Sequence, residues 1–228
     1  KFLIESGGSI NEANNNGTTP VYVACQNGHL DVVKFLIASG GSVNEANNNG
    51  AIPLYIASQN GHLDVVKFLI ESGGSVNEAN NDGWTPLHLA SLNGHLDVVK
   101  FLIESGGSIN EANNNGWTPL HLASQNGHLD IAKALIAYGA NYDYKNKDGK
   151  TPVDVANNDE TKTFILKEIR WSRRRLLILT RPHDDFETNE EHQVTPLGNI
   201  ITAIKSNNDP SSQDSVLYQL KMKVASFL

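Results

Sequence analysis

Four histidines, His29, His62, His95 and His128, stand 33 residues apart, each followed two positions later by an aspartate: Asp31, Asp64, Asp97 and Asp130. An imidazole and a carboxylate so close could ligate a metal ion or exchange a proton. A metal site needs more, because further His or Cys ligands must converge, and the spacing brings none in. A histidine repeated at a turn between helices reads instead as a hydrogen-bonding residue of the fold. A second group runs from His183-Asp184-Asp185-Phe186-Glu187 to Glu190-Glu191-His192. Its spacing matches no metal-site pattern and reads as an acidic loop. No glycine-rich phosphate loop, G-x-S-x-G elbow or paired zinc motif occurs. The expectation is a protein with no catalytic residues, no metal and no cofactor.

The elements that would position these residues come from a strict repeat. Gly17, Gly50, Gly83, Gly116 and Gly149 are 33 residues apart, and the text around them recurs almost verbatim: NNDGWTPLHLASL at 80–92 against NNNGWTPLHLASQ at 113–125. In Thr85-Pro86-Leu87-His88, threonine can cap a helix whose first turn accepts proline at no cost in hydrogen bonds. Asn93-Gly94 ends that helix, since both residue types tolerate a left-handed cap. A second helix follows, with Val98, Val99, Leu102 and Ile103 forming its buried stripe. Ser105-Gly106-Gly107 breaks it, and an Asn-rich stretch leads into the next turn as an extended hairpin. Neither helix can bury its face alone, so neighbouring units must stabilise one another.

A 33-residue period carrying T-P-L-H-x-A resembles the ankyrin repeat. The resemblance implies an all-α solenoid of helix-turn-helix units with projecting β-hairpin fingers. It covers residues 1–170: a partial unit at 1–13, units at 14–46, 47–79, 80–112 and 113–145, and a divergent fifth at 146–170. It also implies a binding scaffold, hence a non-catalytic protein with a protein partner. The first residues, KFLIES, match 67–72, the second half of a second helix, so the chain is expected to be a piece of a longer repeat protein.

Some residues depart from the pattern. Ile52 stands where Thr85 and Thr118 offer a capping oxygen, which should weaken that helix start by about 1 kcal/mol. The family's histidine ties a unit to its neighbour. His88 and His121 keep it, whereas Tyr22, Tyr55 and Asp154 replace it, and those junctions must be satisfied differently.

By resemblance, partners contact the finger tips and the exposed side of the first helix, together a concave face. Those positions are mostly Asn and Gln, which suit turns as well as binding. An apolar cluster interrupts them: Trp84, Trp117 and Leu92, the last replacing Gln26, Gln59 and Gln125 of the sister units. The candidate partner-binding residues are Trp84, Leu92 and Trp117 with Asn81, Asp82, Asn114, Asn115 and Gln125. Large aromatics ringed by polar groups suit an anchor site, though each Trp could instead merely cover its neighbouring finger. The residue after each repeat glycine varies most, reading Thr18, Ala51, Trp84, Trp117 and Lys150.

A formal net charge of -7 argues against a nucleic-acid surface. Cys25 is the one cysteine, so an intramolecular disulfide is impossible and a cytoplasmic, or alternatively nuclear, location is expected. Apolar runs such as 176–179 are too short to span a bilayer, and membrane insertion is not expected. All five arginines, Arg170, Arg173, Arg174, Arg175 and Arg181, lie in one stretch, which reads as a nuclear-localisation patch, a site for an acidic partner or a solvated helix face. Residues 171–228 read as a helical C-terminal capping extension, in which 195–228 repeat the Thr-Pro helix start as a helix pair. An alternative function is an adaptor whose C-terminal helices recruit a second partner, such as a ubiquitin ligase or a larger assembly.

Overall fold

The structure, a computed structural model, describes residues 9–180, with side chains as far as 172. Expectations for residues 1–8, for the acidic loop at 183–192 and for the helix pair at 195–228 lie outside the described residues, as do the side chains of Arg173, Arg174, Arg175 and Arg181. The chain divides into two compact units, Lys1–Lys167 and Glu168–Leu228.

Four repeats fold into two short helices each: a proline opens the first, capped by Thr19, Thr85 and Thr118 but not by Ile52, and an Asn-Gly pair follows its last turn. The pairs are α1 (Pro20–Gln26) and α2 (Leu30–Ala38), α3 (Pro53–Gln59) and α4 (Leu63–Glu71), α5 (Pro86–Asn93) and α6 (Leu96–Glu104), and α7 (Pro119–Gln125) and α8 (Leu129–Ala137). A longer helix, α9 (Asp159–Thr180), follows. The first helices pack on one another in succession, α1 on α3 on α5 on α7, more closely than the second helices do. The fold is an all-α solenoid. Among the described residues there is no strand, and the fingers between pairs are closed by hydrogen-bonded turns.

The buried stripe of α6 is Val98, Val99, Leu102 and Ile103, as its spacing predicts. The equivalent Val65 of α4 and Ile131 of α8 are almost fully buried, whereas Val32 of α2 is 46% exposed. The face of a unit is therefore covered by the unit before it. A hollow of about 460 Å³, lined by Thr19, Pro20, Val23, Val32 and Leu36 among others, sits on this same face of the first described unit.

Two expectations need correction. Asparagines do not take the left-handed conformation: among the described residues every positive φ belongs to glycine, as at Gly94, whose φ of 85° caps α5. The asparagines turn the chain through side-chain hydrogen bonds instead. In the divergent unit, Thr151-Pro152 begins a turn that never becomes a helix. There Asp154 accepts from both the backbone N–H and the hydroxyl of Thr151, at 2.9 and 2.7 Å. Those bonds to the ionised form hold the Asp154 carboxyl below its usual range. Val153 and Val155 give the segment little helix propensity, and Asn158 caps the next helix at once by accepting from the Thr161 N–H.

Candidate functional site

The finger between α4 and α5 illustrates how the variable residue is held. The Asn80 N–H donates to the Trp84 carbonyl at 2.9 Å, closing the loop. Inside it, Asn80 Oδ1 accepts from the N–H groups of Asp82 and Trp84 at 3.0 and 2.9 Å. Gly83 completes the turn at φ 79°, and a Cβ there would stand 2.9 Å from the Asn114 nitrogen of the next finger. Only glycine serves both demands. The same bonds recur around Asn14, Asn47, Asn113 and Asn146, so Thr18, Ala51, Trp84, Trp117 and Lys150 occupy one equivalent place in successive fingers.

Adjacent fingers are laced together. The Asn114 backbone N–H donates to the Asp82 carbonyl at 3.0 Å, and its side-chain amide donates to the Asn81 carbonyl at 3.0 Å. Asn81 binds the preceding finger in the same manner, through the carbonyls of Asn49 and Asn48. The amides of these two candidate residues are thus committed to stacking. Asp82, Asn115 and Gln125 are exposed, and their side chains make no hydrogen bond among the described residues. Trp84, Leu92 and Trp117 are half-buried.

Each tryptophan rests edge-on against the buried histidine of its own unit: Trp84 on His88 with centroids 5.9 Å apart, and Trp117 on His121 at 5.7 Å. His88 is fully buried and works in three directions. Its backbone N–H donates to Thr85 Oγ1 at 3.4 Å, while its Nδ1 lies 3.1 Å from the Thr85 nitrogen and 2.7 Å from the hydroxyl. Its Nε2 lies 3.0 Å from the Trp117 carbonyl of the next finger. A carbonyl can only accept, so Nε2 carries the proton and Nδ1 receives from Thr85. His121 repeats this arrangement with Thr118 and the Lys150 carbonyl. Burial pushes the His88 imidazole down to about 4, against weaker upward pulls from the backbone at Trp117 and Glu111. Burial lowers His121 as well. Both are therefore neutral structural groups at neutral pH.

Where Tyr55 replaces the histidine, the junction uses a different bond: the Asn80 side-chain amide lies 3.4 Å from the Tyr55 hydroxyl. The matching amides of Asn113 and Asn146, beside His88 and His121, are buried without a partner. The His-x-Asp histidines also proved to be junction residues. Nε2 of His62, His95 and His128 lies 2.9–3.1 Å from the carbonyls of Gln26, Gln59 and Leu92 one unit earlier. Among the described residues no group of three His, Cys, Asp or Glu side chains is placed to hold a metal ion.

A family model described as ankyrin repeats in three copies matches residues 1–80, 39–113, 72–148 and 107–170. The chain belongs to the ankyrin repeat family. No curated protein matches it. Ankyrin repeats are generally protein–protein interaction modules, and this array implies a protein partner. No helix among its described residues is long and apolar enough to cross a membrane.

Reading the ankyrin units one by one missed two features. Asn11, Asn44, Asn77 and Asn110 form a second ladder. Asn77, for example, donates its amide to the Gly106 carbonyl at 3.0 Å and accepts from the Ser108 N–H at 2.8 Å. Aligning every asparagine would have exposed that period. Tyr144, exposed and 6.3 Å edge-on from His121, replaces Glu12, Glu45, Glu78 and Glu111 of the earlier ankyrin units, a substitution visible by the same alignment.

Proposed function

We propose that the array is a non-catalytic scaffold that holds a partner protein on the face formed by finger tips and first helices. Trp84, Leu92 and Trp117 are the apolar anchors, and Asp82, Asn115 and Gln125 the polar rim. One observation carries this reading: two half-buried tryptophans occupy a finger position filled elsewhere by Thr18, Ala51 and Lys150, so the fold itself does not require an aromatic there. Binding hot spots favour large aromatics in such a setting. Asn81 and Asn114 contribute by fixing the spacing between fingers.

A photo-crosslinking residue placed at 84 or 117 in the full chain tests the proposal. Crosslinks to one partner from these positions, absent from position 64 or 97 on the second helices, support it, and the reverse pattern overturns it. Trp84→Ala with Trp117→Ala is expected to abolish capture while cooperative unfolding persists. Loss of folding would mean that the rings serve the fingers alone. The adaptor reading rests on residues beyond Thr180, and comparing partners of the full chain with those of residues 1–180 addresses it.

A further inference from the structure

Charge changes sign along the row that contains the tryptophans. The third finger carries Glu78 and Asp82, and the fourth carries Glu111. In the fifth, Tyr144 takes the glutamate's place, and Lys145, Lys147 and Lys150 outnumber Asp143 and Asp148. Lys147 and Lys150 are exposed and have no ion-pair partner among the described residues. The fifth finger is nevertheless built like the others. The Asn146 N–H donates to the Lys150 carbonyl at 2.9 Å, and the Lys147 N–H donates to the Asn115 carbonyl at 3.1 Å. Lys150 is therefore one step beyond Trp117 in the same row, as Trp117 is one step beyond Trp84.

Resting on the binding face just described, we propose that the partner presents an extended segment with two apolar side chains followed by a carboxylate, seated on Trp84, Trp117 and Lys150 in that order. Packed helices lie about 8–10 Å apart, and an extended polyproline II chain advances about 3.1 Å per residue with three residues per turn, so one unit corresponds to about three residues and side chains at i, i+3 and i+6 share a face. The pattern is an apolar residue at i, another at i+3 and Asp or Glu at i+6, or its reverse. Lys150 and Lys147 attract the acidic end, while Asp82 and Glu78 repel it from the Trp84 end, and this fixes the direction in which the segment lies.

The test is selection of a random twelve-residue displayed peptide library on the full chain, followed by titration of the enriched peptides as synthetic molecules. Quenching of tryptophan fluorescence reports binding to the unmutated protein. The expected result is enrichment of the apolar-x-x-apolar-x-x-acid spacing in one direction. Lys147→Glu with Lys150→Glu should weaken binding about tenfold at low salt and less at high salt. Both lysines are exposed, and unchanged circular dichroism of that variant confirms that the loss is not unfolding. Peptides that depend on Trp84 and Trp117 but ignore both lysines overturn this inference and leave the binding face standing. Peptides indifferent to all four residues, or no enrichment, overturn both.

Discussion

At the scale of the residue, one position in each unit shows how a hydroxyl, an imidazole and a methyl group are traded. Thr118 caps α7 through the His121 N–H and is also the hydroxyl partner of His121 Nδ1. Thr118→Val keeps the shape and removes both bonds inside a buried site. The expected cost is about 2 kcal/mol, measured as a lower urea midpoint. Ile52 makes no side-chain cap to α3, as its side chain dictates, but it is almost completely buried. The apolar burial offsets the missing cap. Ile52→Thr should therefore change stability by less than about 1 kcal/mol, and a gain well above that would show that burial contributes little at this site.

The element scale is governed by who covers whom. Val32 and Val65 occupy the same place in α2 and α4, yet the first is 46% exposed and the second wholly buried. Removing two methyl groups leaves a cavity only where neighbours surround them. Val65→Ala is expected to cost about 2 kcal/mol, and Val32→Ala only a few tenths. Equal losses in denaturant titrations would show that the stripe is stabilised within each helix pair rather than between pairs. Lys34 and Lys67, 5.8 and 5.6 Å from the rings of Phe68 and Phe101, carry the same unit-to-unit contact onto the second helices.

For the whole molecule, the two histidine units and the two tyrosine units should respond differently to acid. Burial lowers the His88 pKa in the folded state to about 4, and lowers His121 too, while the unfolded chain protonates histidine near its ordinary value of about 6.5. The stabilising contribution is complete above about pH 6.5 and is lost progressively as pH falls toward 4, reaching on the order of 3 kcal/mol for His88. Burial raises the tyrosine hydroxyls at 22 and 55, so they stay neutral throughout that range. His88→Tyr with His121→Tyr should flatten the decline in unfolding free energy between pH 6.5 and 4. It should also be tolerated, because each new hydroxyl can meet the unpartnered amide of Asn113 or Asn146 as Tyr55 meets Asn80. An unchanged decline would place the acid sensitivity elsewhere.

A 33-residue period, Thr-Pro helix starts, glycine stops and the stripe of Val98, Val99, Leu102 and Ile103 were enough to determine the ankyrin units and their helices. Those features act within one unit, through backbone conformation and local hydrogen bonds, so their spacing along the chain carries them. Which asparagine turns a finger and which joins two fingers was decided only by the tertiary structure, because Asn80 and Asn81 look alike until a neighbour stands beside them. The same holds for Ile52, whose burial depends on adjoining units, and for the Thr151-Pro152 segment, where the following residues stop what looked like a helix start. Trp84, Trp117 and Lys150 could be singled out from the repeat alone. Their equivalent places on successive fingers required the folded stack, since hydrogen bonds between units set the fingers side by side.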